Sequence, residues 1–392
     1  MESYKVLGKW IEKYGNVFGF FNGDAPFIVL NDLDFIEYVY VRNFQNFVDR
    51  GFTMMIDQMH PVLGKSVMHV GGHEWKGLRS RVTYCMSAAK LKTMMPHLEE
   101  NVDIFIKSLE KYADTDREVH MLPEFEQLSM DHTARGAFGI DEHFQGQPDH
   151  PLLKIARGVF KGVMKGPLHM IAQCTTMFRR WMKPFYWLST MLGEFTFENL
   201  GKETMKVIEM RKKYPSLRKP DILQHLIDAE VTNGRADSNG AERPNGISKQ
   251  QQLSPQGIAT SATVVFVGGF VTRQAKEDFE YNGIKFKAGT AFMVSQYHLQ
   301  RNPQYWPNPE EFDPERFAPE NEALLRKTAY TPFGIGPRNC AGMRLALLNL
   351  KYTFARLLEK YRLELGESQM AKTAALLFRK RRSMMNCLRQ YM

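Results

Sequence analysis

The apolar pattern changes period twice within the first forty positions. Residues 3–14 place apolar side chains at helical spacing and stop at Gly15, which predicts an amphipathic helix. Val17-Phe-Gly-Phe-Phe21 and Pro26-Phe-Ile-Val-Leu30 follow, separated by Asn22-Gly23-Asp24; two apolar runs around a turn tripeptide predict a β-hairpin. Asp32 then stands where an N-cap belongs, ahead of the helically spaced Phe35, Ile36, Val39 and Tyr40. Further along, Pro220-Asp-Ile-Leu-Gln-His-Leu-Ile-Asp228 predicts an acid-capped helix. Residues 232–253, rich in Asn, Gly, Ser and Gln, predict a flexible surface loop. Ser254-Pro255 opens the next helix, carrying Ile258, Ala262, Val265 and Phe266 and reaching Thr272, a rod of roughly 28 Å at 1.5 Å per residue. Beyond Gly342 the apolar residues Met343, Ala346, Leu347, Leu350, Phe354, Leu357 and Leu358 predict a helix from about residue 341 to 359.

Charge and cysteine usage narrow the classes. The 392 residues are 43% hydrophobic and 12% aromatic, ample for a large core. Net charge is +9, so an anionic partner must be weighed. The basic residues are scattered, however, with no Cys/His finger or aromatic RNA-binding stretch, which argues against nucleic acid and for an acidic protein or a membrane surface. Cys85, Cys174, Cys340 and Cys387 lie far apart without a C-x-x-C pair, which is neither a disulfide framework nor a zinc site and fits a reducing compartment. No apolar run reaches spanning length, and no signal peptide precedes Met1-Glu-Ser-Tyr-Lys5. Within 166–200, Trp181, Phe185, Tyr186 and Trp187 stand among Arg179, Arg180 and Lys183. That stretch reads either as core plus solvated charge or as a segment resting on a membrane interface.

The candidate chemistry is concentrated in Phe333-Gly-Ile-Gly-Pro-Arg-Asn-Cys340-Ala-Gly342. Cys340 ends a Gly-rich loop and is fed into the last long helix, whose N-terminal partial charge favours thiolate over thiol. Gly334, Gly336 and Gly342 let backbone approach a flat ligand closely, and Arg338 offers a cation to an acidic one. A thiolate, close backbone and a positive charge answer the needs of a haem: an axial ligand, room for the ring and a propionate partner. The opposing reading is a buried Cys after a tight turn. No Lys-Ser or Lys-Thr follows the glycines, which excludes a phosphate-binding loop. Trp75 and Arg79, four apart in Glu74-Trp-Lys-Gly-Leu-Arg-Ser80, share one helical face and can reach one buried anion.

The run F-G-x-G-x-R-x-C-x-G, with Thr331-Pro332 before it, resembles the haem-binding loop of the cytochromes P-450. Trp75 and Arg79 match the family's W-x-x-x-R pair. Residues 3–40 are similar to the A helix, first hairpin and B helix of microsomal members, nearest to the drug- and steroid-oxidising third-family branch that includes thromboxane synthase. Residues 120–165, with Phe138-Gly139, resemble the D and E helices, and the helix up to Thr272 resembles the one that crosses the haem. The resemblance covers nearly all of 1–366. It implies a mainly α fold in one domain over 1–392, with a small β-sheet region from residues 15–30 and 273–295 and an atypical tail at 368–392. It implies heme b, its iron bound by Cys340, with Trp75, Arg79, Arg273 and Arg338 holding the propionates. Phe333 would pack on the thiolate side, Gly334 and Gly342 would bind the haem beside it, and Thr272 would lie on the distal, catalytic side. The implied activity inserts one oxygen atom of dioxygen into an apolar small-molecule substrate, with electrons from NADPH through NADPH-cytochrome P-450 reductase. The substrate's apolar character also suits Phe52, Met54, Met55 and Met68. The implied location is the cytosolic face of the endoplasmic reticulum membrane with peripheral contact, although the family's anchor helix is absent from this chain.

The pattern breaks at one point. Gly268-Gly-Phe-Val-Thr272 runs straight into Arg273-Gln-Ala-Lys-Glu-Asp278, where relatives continue through an acid–Thr pair, further helices and a Glu-x-x-Arg helix. Val271 stands in the acid's place, and Glu359-Lys-Tyr-Arg362 has the right letters but lies after the Cys. Arg316, in Phe312-Asp-Pro-Glu-Arg-Phe317, would lose its partners, and a buried Arg left alone costs around 3–5 kcal/mol out of a total of about 5–15 kcal/mol. The expectation is therefore an impaired enzyme. The alternatives are a non-catalytic haem-binding isoform and a dioxygen-independent, isomerase-like relative.

Overall fold

The computed structural model describes residues 3–51, 63–154, 181, 183–192, 196–235, 257, 272–365 and 375–380. Strands among them are β1 (Val17–Asn22), β2 (Ala25–Leu30), β3 (Val119–His120), β4 (Thr272–Gln274), β5 (Phe279–Tyr281), β6 (Ile284–Phe286), β7 (Ala291–Val294), β8 (Tyr361–Leu365) and β9 (Ala375–Lys380). Most of the remaining described chain is helical, which gives a mainly α protein with a small sheet region. The chain divides into two units, each with its own core. Among the described residues no helix is long and apolar enough to cross a membrane. The loop expected at 232–253 and the helix expected to begin at Ser254 fall largely outside the described residues, as do Val271, Phe52, Met54 and Met55.

The first unit comprises residues 1–79, 162–204 and 253–341. Its opening follows the apolar pattern closely. The Ser3–Tyr14 helix stops where Gly15 takes φ 87°. The β1–β2 hairpin turns through Gly23 at φ 66°, and the Asp32 carboxylate accepts from the Phe35 N–H at 2.8 Å to start the Leu33–Glu37 helix. β2 pairs in parallel with β7, and β7 pairs antiparallel with β4, giving the sheet order β1-β2-β7-β4. Leu30, Leu33, Ile36, Tyr40, Phe47 and Phe292 form a core beneath this sheet, and Phe35 stacks on Tyr281 with centroids 4.0 Å apart.

Two expectations are corrected here. Thr272 opens strand β4, opposite Met293, instead of ending a helix, because the sheet edge offers its backbone a ladder. Arg316 is not left unpartnered. Its guanidinium donates to the Pro307 carbonyl and, at 2.7 Å, to the Asn308 carbonyl, and Nε lies 3.5 Å from Asp313. Backbone acceptors nearby in sequence satisfy the fork that the absent acid would have taken.

The second unit comprises residues 80–161, 205–252 and 342–392. The Ala88–Ser108, Met121–Phe138 and Met343–Lys360 helices bring Val102, Phe105, Leu128 and Leu357 into one core. Gly139, at φ 61°, ends the Met121–Phe138 helix in the left-handed conformation that favours glycine. The expected acid cap is Asp221: it accepts from the Gln224 N–H at 2.7 Å and holds Arg211 through both carboxylate oxygens. Within the tail, β9 lies between β3 and β8, with Phe378 fully buried and edge-on to Tyr361 at 5.7 Å.

His132, on the Met121–Phe138 helix, sets a pH dependence. Its Nδ1 lies 3.3 Å from the Asn101 amide, and burial pushes its pKa down to about 4. The folded state thus binds the proton more weakly than the unfolded chain. The contribution is fully present above the unfolded value near 6.5 and is lost as pH falls through about 4, on the order of 3 kcal/mol in all. Thermal melts should drop as pH is lowered from 7 to 4.5, and His132→Gln should flatten that drop; an unchanged profile in the variant would refute the assignment.

Candidate functional site

The Cys loop is built by its glycines. Gly334 and Gly336 take φ 76° and 72°, and a Cβ on Gly336 would sit 1.9 Å from the Tyr40 carbonyl oxygen, so no other residue fits there. The turn closes when the Cys340 N–H donates to the Phe333 carbonyl at 2.7 Å, and the Asn339 N–H donates to Gly336 at 2.9 Å. Cys340 is exposed, and Phe333 is half-buried. Gly342 is the N-cap of the Met343–Lys360 helix, which begins within two residues of the predicted start.

Trp75 and Arg79, one helical turn apart on the Gly72–Cys85 helix, both grip this loop. Trp75 is buried and lies under the Arg338 guanidinium at 4.5 Å. Arg79 donates to the Asn339 carbonyl at 2.5 Å and to its side-chain oxygen at 2.6 Å. Arg338 is buried and donates to the Val70 carbonyl at 2.6 Å. Arg273, also buried, lies over the Tyr40 ring at 4.6 Å and donates to the Thr272 carbonyl at 2.7 Å and the Ile335 carbonyl at 3.3 Å. Thr272 is buried beside it, and its Oγ1 makes no hydrogen bond among the described residues.

Two participants went unread in the sequence. Asn339 is the acceptor that anchors Arg79, and Arg50 donates to the Arg338 carbonyl at 3.4 Å. Asp49-Arg50-Gly51, a charged pair before a glycine within an apolar stretch, was the available signal for Arg50. The pairing of Arg79 with Asn339 had none, because it joins positions 260 apart.

The electrostatics of the cluster have one sign. Burial, then the neighbouring Arg50 and Arg273 cations, pushes Arg338 down to about 8, with Asp49 partly opposing. Arg50 and Arg273 are each lowered to about 10, burial first. Arg79 is lowered by burial and partly restored by Cys340. Two buried guanidinium groups, Arg273 and Arg338, with the half-buried Arg50 and Arg79 near them, call for an added anion. Nε of both Arg273 and Arg338 is buried without a hydrogen-bond partner, which leaves donors for that anion. A dicarboxylate ring carrying a metal, set against a loop that presents a sulfur, fits this donor set.

Comparison with known proteins agrees. The Cytochrome P450 family matches residues 1–272 and 264–385, two pieces that overlap over 264–272, next to the predicted break. Similar curated proteins include Cytochrome P450 3A1 of Rattus norvegicus, 27% identical over 413 positions that take in 89% of this chain and 79% of the relative. Cytochrome P450 6B1 of Papilio polyxenes is 29% identical over 415 positions, covering 89% and 80%. Cytochrome P450 3A14 of Cavia porcellus is 26% identical over 402 positions, covering 89% and 79%. Each of these alignments is longer than the whole 392-residue chain although only 89% of the chain takes part, so the relatives carry residues without counterpart here. Members bind haem with its iron held by a cysteine thiolate and act as monooxygenases. The matched length and the Cys loop together make this chain a member of the cytochrome P450 family.

Proposed function

We propose that this chain oxidises apolar small molecules with electrons delivered from NADPH by NADPH-cytochrome P450 reductase, at the cytosolic face of the endoplasmic reticulum membrane, in a form weakened by its internal break. The observation that carries the site reading is the cluster of buried guanidinium groups in the same unit as Cys340. In this reading Cys340 supplies the axial sulfur, Phe333 shields it, and Gly334 and Gly342 leave room for the ring. Arg273 and Arg338 offer their unpaired Nε donors to the propionates; Trp75 orients Arg338, and Arg79 holds the loop in place. Thr272 contributes a buried hydroxyl whose proton is uncommitted. When bound, the haem supplies the activation of dioxygen. The protein's part is to hold it, exclude water and position an apolar substrate.

Exposed apolar side chains support peripheral membrane contact. Trp181, Trp187, Met191 and Leu192 are between 65% and 77% exposed, and Trp at a wet–apolar boundary is favoured. Steering of the reductase is assigned to Lys90, Lys92, Arg344 and Lys351, of which the last three are exposed. Their attraction for an acidic partner acts over a Debye length of about 8 Å at physiological ionic strength. Raising salt from low to physiological strength should therefore slow flavoprotein-to-haem electron transfer severalfold. A rate indifferent to salt would remove these residues from the reading. The function itself is tested by the reduced carbon-monoxide difference spectrum, expected far to the red of an ordinary haem protein, together with product formation that needs both NADPH and dioxygen. A thiolate spectrum without product would favour a non-catalytic haem protein; product without NADPH or dioxygen would favour an isomerase-like one.

A further inference from the structure

Asp49 belongs to none of the motifs that carry the haem reading, yet its short segment is bonded to all of them. Its carboxylate accepts from the Gly72 N–H at 2.9 Å, and Gly72 opens the helix that presents Trp75 and Arg79. The first N–H groups of a helix have no partner within it, so this bond satisfies one of them from a distant stretch of chain. The approach is tight. A Cβ on Gly71 would meet Asp49 Oδ1 at 2.4 Å, so the carboxylate reaches the helix because residue 71 has no side chain. The Asp49 carbonyl accepts from the Gln274 N–H at 2.9 Å, next to Arg273 in β4. Asn46 fastens the same segment further along: its side-chain oxygen accepts from the Lys276 N–H at 3.0 Å and the Glu277 N–H at 2.7 Å. Arg50 reaches the Cys loop through the Arg338 carbonyl at 3.4 Å. All of these residues lie in the first unit.

The cofactor arginines therefore come from separate stretches that meet at residues 46–50. Direct bonds also join those stretches, such as Arg79 to Asn339 and Arg338 to Val70, but they occupy guanidinium donors that a dicarboxylate would engage. The bond from Asp49 ends on backbone and stays in place when a guanidinium turns to a ligand. We propose that Asp49 is a positioning residue of the cofactor cradle: through Gly72 its carboxylate holds the Trp75 and Arg79 helix in register with Arg273 and Arg338, so that the guanidinium groups converge on one dicarboxylate. The proposal rests on the haem reading and adds to it a residue outside the family motifs. The competing role for Asp49 is simple counter-charge to Arg338.

The test compares haemin with its dimethyl ester, in which both propionates are blocked, titrated into the apo form of the full 392-residue chain and followed by Soret absorbance. The unaltered chain is expected to prefer the dicarboxylate. Asp49→Ala should cut that preference about tenfold, whereas Asp49→Asn, which keeps an acceptor oxygen without the charge, should hold it within about threefold. A substitution that merely loosens the protein weakens both ligands alike and leaves their ratio unchanged. Gly71→Ala, at a position without positive φ, displaces the carboxylate from the helix side and should reproduce Asp49→Ala. The double variant should lose little more, because both changes break one contact. Far-UV circular dichroism checks folding; if Asp49→Ala does not fold, Gly71→Ala is read alone. No preference in the unaltered chain, or an unchanged ratio in either folded variant, overturns the proposal. So does an Asn variant as poor as the Ala one, since that makes Asp49 a counter-charge. Without a thiolate-type carbon-monoxide band in the unaltered chain the haem reading itself falls; with the band present and the ratio flat, only the role of Asp49 does.

Discussion

Replacing Cys340 by Ser is expected to erase the far-red Soret band of the reduced, carbon-monoxide-bound protein and to cut NADPH-dependent oxidation by more than about 100-fold, a barrier increase of nearly 3 kcal/mol. The substitution is isosteric at an exposed position, so the fold should not notice it. The loop-closing bond runs from the Cys340 backbone N–H to the Phe333 carbonyl and survives any side chain. Melting should therefore shift by no more than the roughly 0.5 kcal/mol typical of surface changes. What is lost is the soft, electron-rich sulfur and the push it gives to O–O cleavage. Retention of the red-shifted band in the Ser variant would remove Cys340 from the axial position. Arg338→Ala tests the other half of the site and should behave differently. It leaves the sulfur in place but removes the guanidinium that lies over Trp75 and holds the Val70 carbonyl, so haem retention should fall while the band position stays.

How much of this was legible depended on the range of each interaction. The hairpin, the Asp32 cap and the Cys loop are written in short windows, where a turn residue, a capping oxygen or a glycine with positive φ has few alternatives. The grip of Trp75 and Arg79 was legible only as a shared helical face; that Arg79 would take Asn339 depends on a loop 260 residues away. Arg316 shows the reverse error. A family partner was missing, yet the carbonyls of Pro307 and Asn308 lie eight or nine residues away and satisfy the same fork. The strand at 375–380 was hidden by its own charge, because Arg379 and Lys380 end it while Leu376 and Phe378 supply the register with β3 and β8.

The chain as written is expected to purify with low haem occupancy and little turnover, and the cause is not the one the sequence suggests. With Arg316 satisfied, the expected weakness is not an orphaned cation but the partly exposed apolar stripe of Leu347, Leu350, Phe354 and Leu358 on the helix that follows Cys340. Fully burying a Leu or Phe is worth about 1.5–3 kcal/mol, so four side chains left 36–51% exposed forgo several kcal/mol against a total near 5–15 kcal/mol. That helix starts three residues past Cys340, and loosening it should loosen the loop. Grafting the missing stretch of a full-length relative between Thr272 and Arg273 should therefore raise the melting temperature by roughly 10 °C. The same graft should bring haem content toward one per chain and restore NADPH-dependent oxidation. The three should rise together, because one helix face governs all of them. Full haem loading and robust turnover from the ungrafted 392 residues would overturn the argument, as would a graft that raises stability while haem content stays low.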